Sequence, residues 1–546
     1  LKLKADIIYM SSAIFTGENI NTIDGAIAIK GNRIIAVGDK QLMSEFIDES
    51  TEVFDFGDKL IMPGFNDSHV HFMYGAIQND KDFCVELYDC TSEAECVERV
   101  KKFAEEHPDN PWIFGRGWSE ADWTDGKEPN RRSLDAVFPD RPVFLSSQDI
   151  HSAWVNKKAL DMVGFDRNTP DLEDGYIEHF SDGEPSGILR EPGVCDIIQK
   201  EVLLSADLKS SMYSYQEIAV KYGITSIGNV YPYGGIDEDD ALYLYKDLEN
   251  EGLILTRFHL FTELRKDLSA ANKYEEMYCS DKVRFAGLKK IIDGVCEAHT
   301  GYLLEPYADD PMTRGQLQVK PEALKELVMN ADTEGYTVRL HCIGNGAVSI
   351  ALDCFEEARR VHGKGCYHAI EHIETCHPDD IPRFGELDVI ASMQPIHLTL
   401  NIDGYPKLLG EKWMKTAWPI RSLLDTGAHL ACSSDFPVVG LNPLEGVYAA
   451  ITRKTLDGYP EGGFVPQERI QLGEVLRGYT YGSALLENFD EEIGTISIGK
   501  LADIVVLDKN LFRATPEEIL DTKVLITMIN GEVVYKSGVK MESSVS

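Results

Sequence analysis

At both ends of the chain, apolar positions alternate with polar ones or form short runs cut by turn residues, which is the pattern of strands. Near the start these runs are Asp6-Ile7-Ile8-Tyr9, Ala13-Ile14-Phe15-Thr16, Gly25-Ala26-Ile27-Ala28-Ile29 and Arg33-Ile34-Ile35-Ala36-Val37. Near the end, Ala502-Asp503-Ile504-Val505-Val506-Leu507 and Val524-Leu525-Ile526-Thr527-Met528-Ile529 flank a helical stretch, and Asn530-Gly531 predicts a hairpin into Glu532-Val533-Val534-Tyr535. Neither end has enough strands to bury both faces alone. The economical expectation is one composite β-sandwich domain from residues 1–62 and 491–546.

From about residue 215 to 490 the pattern changes. Short apolar strands alternate with amphipathic helices: Gly223–Ile227, Arg257–Phe261, Phe285–Lys289, Thr337–His341, His368–His372, Val389–Met393 and His429–Ser433. With Leu60–Phe65 in front, the count is eight. Eight strands separated by helices predict an α/β fold, a TIM-type (β/α)8 barrel over residues 63–75 and 215–490. Residues 76–214 fall outside that count. They carry strands of their own, Pro111–Gly115 and Pro142–Ser146, and read as an α+β insertion between barrel strands one and two, a substrate-pocket lid.

Composition narrows the function classes. With 53 Lys+Arg against 91 Asp+Glu, the chain of 546 residues carries a formal net charge of −38. That surface repels a phosphate polyanion, so nucleic acid is not an expected partner. The eleven cysteines are scattered without a Cys-x-x-Cys, which argues against a zinc ribbon or a disulfide framework. The opening residues show no apolar signal region and no window is long enough for a membrane span, so a cytoplasmic location and no membrane partner are expected.

Against that frame, chemistry-bearing residues gather at one place. His69 and His71 end strand one, and a spacing of two puts both on one face of an extended chain. Lys289 ends strand four, His341 strand five and His372 strand six, and Asp435 ends strand eight. Each alone has a plain alternative: a satisfied buried histidine, a lysine facing solvent or paired with Asp293, an aspartate capping a helix. Jointly they fall at the strand ends where barrel active sites form.

The motifs Pro63-Gly64-Phe65-Asn66-Asp67-Ser68-His69-Val70-His71, Leu340-His341-Cys342-Ile343-Gly344-Asn345-Gly346-Ala347, Ile370-Glu371-His372 and Ser434-Asp435-Phe436-Pro437-Val438, with the tail Gly494–Leu507, resemble the amidohydrolase superfamily. Within it, the chain is similar to the YtcJ-like branch that includes N-substituted formamide deformylase. The resemblance implies a divalent metal cofactor, zinc foremost, as one or two ions. His69, His71 and Asp435 would hold the first ion and His341 and His372 the second, bridged by a carbamylated Lys289. It also implies hydrolysis of a C–N bond by metal-activated water, with Asp435 as general base and then acid. Lactone or ester hydrolysis and deamination use the same kind of site, and a scaffold protein that has lost catalysis is the alternative of another class. His151 and Glu191 in the insertion are carried over as pocket candidates. Trp118, one of four tryptophans there, could clasp an apolar substrate group or simply pack in the insertion's core. Cys342 and Asn345 stand where the branch usually has Ala and Asp, which touches the surroundings of His341 but not the ligand itself. The expected partner is a small-molecule substrate, and a homodimer is common for such folds.

Overall fold

The computed structural model describes residues 3–120, 123–124, 126–148, 152–172, 175–232 and 235–538. The chain divides into two compact units, Leu1–His71 with Gln216–Tyr231 and Glu249–Ser546, and Phe72–Tyr215 with Pro232–Leu248. Among the described residues no helix is long and apolar enough to cross a membrane.

The first unit holds eight parallel strands: β1 (Phe65–Val70), β2 (Ile224–Val230), β3 (Arg257–Glu263), β4 (Val283–Ile291), β5 (Val338–Cys342), β6 (Ala369–His372), β7 (Ile390–Met393) and β8 (Leu430–Cys432). Each pairs with the next in chain order. β1, β2, β6, β7 and β8 are buried along their whole length, as strands with both faces covered must be. The first and last meet through a parallel bridge between Val70 and Phe436. There the Asp435 N–H donates to the His69 carbonyl at 2.9 Å and the His71 N–H to the Phe436 carbonyl at 2.8 Å. The sheet therefore closes on itself beside the residues that matter most, and the expected barrel is present.

The first strand differs from the expectation. Leu60–Pro63 is a strand of the terminal sheet, paired antiparallel with Ile504–Val506, and the barrel strand begins only at Phe65. Gly64 is the crossing point. A Cβ there would lie 2.1 Å from the Thr225 hydroxyl, so glycine alone lets the chain pass from one sheet to the other. The apolar run reads continuously through this break, which hides it from a count of strands. His69 consequently lies within β1 and His71 just beyond it.

Strands from both termini join in one hydrogen-bonded sheet. Its two faces separate by the period of two. Ile27 and Ile29 pack with Ile504, Val506 and Ile526 from the other end of the chain, while Ala26 and Ala28 pack with Ile8 and Met43.

The second unit has a six-stranded sheet in the spatial order Tyr176–His179, Pro185–Arg190, Ser152–Val155, Val143–Ser147, Ile113–Trp118, Cys84–Glu86. Its last two pairings are parallel and those measured for the others antiparallel. Trp118, Trp123 and Trp154 meet in its core with ring centroids 6.2–6.3 Å apart. The Trp118 indole N–H donates to the Leu145 carbonyl at 2.8 Å.

Candidate metal centre

Three backbone conformations shape the rim of the barrel. His372, Ile373 and Asp435 adopt φ of 74°, 50° and 59°, a left-handed region that non-glycine residues enter at a cost of about 1–3 kcal/mol each. The turn at His372 is held by the Ile373 N–H, which reaches the carbonyls of Cys342 (3.2 Å) and Glu371 (3.0 Å). Asp67 secures the loop bearing Asp435. Its carboxyl takes the Ser434 N–H at 2.9 Å and the Ser434 hydroxyl at 2.5 Å.

These turns bring two donor sets together, each with ligand atoms within 4.8 Å of one another: His69, His71 and Asp435, and His372, His397 and Asp435. Asp435 Oδ1 lies 3.4 Å from Nε2 of both His69 and His71, and Oδ2 lies 3.9 Å from His372 Nδ1. These separations exceed a normal hydrogen bond. Asp435 Oδ1 is buried without a hydrogen-bond partner among the described residues, as is the Lys289 ammonium nitrogen. Lys289 itself is 2% exposed. A buried carboxylate facing the Nε2 atoms of His69 and His71 at 3.4 Å fits a divalent cation between them.

The electrostatics agree with that donor set. Burial, with Lys289 nearby, pushes His69 down to about 4 and His341 down to about 3. Burial also holds His372 well below the ordinary histidine range. Neutral imidazole is the ligating form. For Asp435 burial acts upward, but its contacts with His69, His71 and His372 outweigh it and hold the carboxyl below its usual range. Burial lowers the Lys289 amine to about 8.

A surrounding layer fixes which nitrogen each ring presents. His69 Nδ1 donates to Glu371 Oε2 at 2.6 Å, leaving Nε2 for the site. Glu371 Oε1 accepts from Arg339 Nε at 2.5 Å, and Arg339 Nη1 donates to the Ser68 carbonyl at 2.7 Å. His372 Nδ1 donates to Gln394 Oε1 at 2.9 Å, and the Gln394 amide donates onward to the Ser433 hydroxyl at 2.9 Å. His397 Nε2 donates to the Ser434 carbonyl at 3.1 Å, so its Nδ1 is the free nitrogen.

Of the residues singled out in the sequence, His69, His71, His372 and Asp435 join the two sets. His341 stands beside them, its ring centroid 4.4 Å from that of His372, with Nε2 3.5 Å from the Gly294 carbonyl. Lys289 is on β4 and inside the barrel, whereas Lys290 turns away to Glu263 at 2.7 Å. Asp293 is not a lysine partner. It accepts the backbone N–H groups of Tyr302, Ile343 and Gly344 at 2.8–3.0 Å. Cys342 is buried, and burial pushes its thiol well above the usual range. Asn345 holds the loop after β4 by accepting the Leu304 N–H at 2.9 Å.

Trp118 is fully buried in the core of the second unit, the packing alternative stated for it. Glu191 is an exposed residue of that unit at φ 71°, at the start of the helix Pro192–Leu204. His151 lies outside the described residues. Motif spacing does not reveal His397, Gln394 or Arg339. His397 follows β7 as Asp435 follows β8, so the rim position was its available signal.

Comparison with known proteins completes the picture. The chain is 30% identical to Protein LONG AFTER FAR-RED 3 of Arabidopsis thaliana, covering 97% of this chain and 92% of the plant protein. It is 25% identical to the N-substituted formamide deformylase of Arthrobacter pascens over 97% of this chain and 98% of that one. Among solved structures, an uncharacterized metal-dependent hydrolase from Pyrococcus furiosus superposes with a TM-score of 0.74 at 27% identity, covering 94% of this chain and 99% of the other. The model of the amidohydrolase family matches residues 52–535, and the chain belongs to that family.

Proposed function

We propose that the protein is a metal-dependent hydrolase that cleaves the C–N bond of an amide of the N-formyl or N-acyl amine class. The observation that carries this reading is the pair of three-residue donor sets sharing Asp435. The similarity to a formamide deformylase supports the choice of bond.

His69, His71 and Asp435 would hold one divalent ion, zinc by the chemistry of its ligands, and His372 would belong to a second with His341 or His397 beside it. Bound there, such an ion lowers the pKa of water from 15.7 to about 7 and polarises a carbonyl oxygen. The Lys289 amine, lowered by burial, is suited to take up carbon dioxide as a carbamate, releasing one proton and giving a carboxylate among the histidines. Asp435, with Oδ1 3.4 Å from Nε2 of both His69 and His71, accepts the proton of the attacking water and passes it to the departing nitrogen. Glu371 and Gln394 keep the rings of His69 and His372 turned toward the reaction.

The test is a metal assay followed by a substrate screen. Protein purified with zinc and bicarbonate is expected to retain stoichiometric metal and to hydrolyse N-formyl or N-acyl amines faster than lactones. Asp435→Asn is expected to lower kcat by about 10²–10⁴-fold while the protein stays folded. Wild-type turnover by that variant, or the absence of bound metal, would overturn the reading.

A further inference from the structure

His397 stands where no motif of the sequence put a ligand. β7 ends at Met393, and the chain turns at Gln394 into a short 3-10 helix, Pro395–Thr399. The turn closes with the His397 N–H donating to the Gln394 carbonyl at 3.0 Å. It sets the imidazole inside the rim, 6% exposed, nearly parallel to the ring of His372 and with the centroids 6.3 Å apart.

A buried imidazole needs a partner at each nitrogen. Nε2 has one, the Ser434 carbonyl at 3.1 Å. A carbonyl only accepts, so the ring proton is on Nε2 and Nδ1 keeps its lone pair. Among the described residues nothing donates to Nδ1. A histidine tied to a backbone carbonyl at one nitrogen and open at the other is in the state that binds metal.

The distances agree. One ligand atom from each of His372, His397 and Asp435 lies within 4.8 Å of the others. Two ligands of one tetrahedral zinc, each about 2.1 Å from it, stand about 3.4 Å apart. Asp435 Oδ1 has that separation from Nε2 of both His69 and His71, at 3.4 Å. Its other oxygen, Oδ2, is turned to the second group and lies 3.9 Å from His372 Nδ1. His341 is placed differently. Its ring is beside that of His372, but Nε2 leans on the loop after β4, 3.5 Å from the Gly294 carbonyl and 3.8 Å from Asp293 Oδ1. Among the described residues it joins neither donor group.

We propose that His397, and not His341, is the ligand that completes a second ion with His372 and Asp435. This rests on the metal-dependent reading above, but not on which bond the protein cleaves.

The experiment counts zinc in metal-free protein dialysed to equilibrium against buffered free zinc, with bicarbonate in every sample so that Lys289 is in one state throughout. Wild type is expected to bind two ions per chain, His397→Ala one, and His341→Ala two. The ion left in His397→Ala is expected to keep its wild-type affinity, because its ligands are His69, His71 and Asp435. If His397 served only to hold the Ser434 carbonyl, and through it Asp435, both ions would weaken together in His397→Ala, and that result overturns the proposal. Two ions in His397→Ala, or one in His341→Ala, also overturn it. A single ion in wild type does so too, which decides the matter even where His397→Ala fails to fold, and leaves the hydrolase reading standing on the first ion. No zinc in wild type removes both.

Discussion

His69 can offer Nε2 to a metal only while Nδ1 carries the proton, and Glu371 decides that. Its carboxylate is 2.6 Å from Nδ1 and is itself held by Arg339, so ring tautomer and ring angle are set together. Glu371→Gln keeps the size but replaces an ionised acceptor by an amide that can also donate. The expected result is a loss of about 10–100-fold in metal affinity, read by competition with a chelator, with little change in overall fold. An unchanged affinity would show that His69 is held by packing alone. This residue also marks the limit of reading the sequence. His69, His71, Lys289, His341, His372 and Asp435 were legible because each sits where a predicted strand ends. The Arg339–Glu371–His69 chain was not, because its contacts span 302 positions and no periodicity encodes a partner that far away.

At the scale of elements, the strands β2 to β8 follow their apolar runs to within a few residues, since parallel strands covered on both faces are apolar throughout. Only β1 was misplaced, because an unbroken run passes from the terminal sheet into the barrel and the steric demand at Gly64 is visible only when Thr225 is in place. The helices are fastened to these strands by polar ties. Asp332, on the helix Pro321–Thr333, accepts from His362 Nδ1 at 2.6 Å, at the end of the helix Asn345–His362. It also accepts from His368 Nε2 at 3.0 Å, while His368 Nδ1 takes the Val338 N–H of β5 at 3.2 Å. These bonds, first that from His368, hold Asp332 down to about 2 from its usual 3.8. A carboxyl depressed in the folded state adds stability that is complete above its unfolded value and lost as pH falls through the folded one. Asp332→Asn is therefore expected to lower the urea midpoint at pH 5, and the gap from wild type should close between pH 4 and about 2. A gap that stays constant over that range would place its contribution in packing instead.

At the scale of the whole molecule, the termini were legible as partners because neither supplied enough strands for a core, and the observed sheet does draw from both. The net charge of −38 was legible too. A chain this acidic surrounds itself with a field that concentrates cations and repels anions, and the field reaches about 30 Å at 0.01 M salt but only about 10 Å at 0.1 M. A substrate that carries a positive charge is drawn in by that field, and a neutral one is not. Salt separates them. For N-formyl-1,4-diaminobutane, kcat/KM is expected to fall severalfold between 0.01 and 0.3 M sodium chloride, whereas for N-formylpentylamine it should stay level. A slope of equal size for both substrates would instead place the salt effect on the protein itself rather than on encounter through its field.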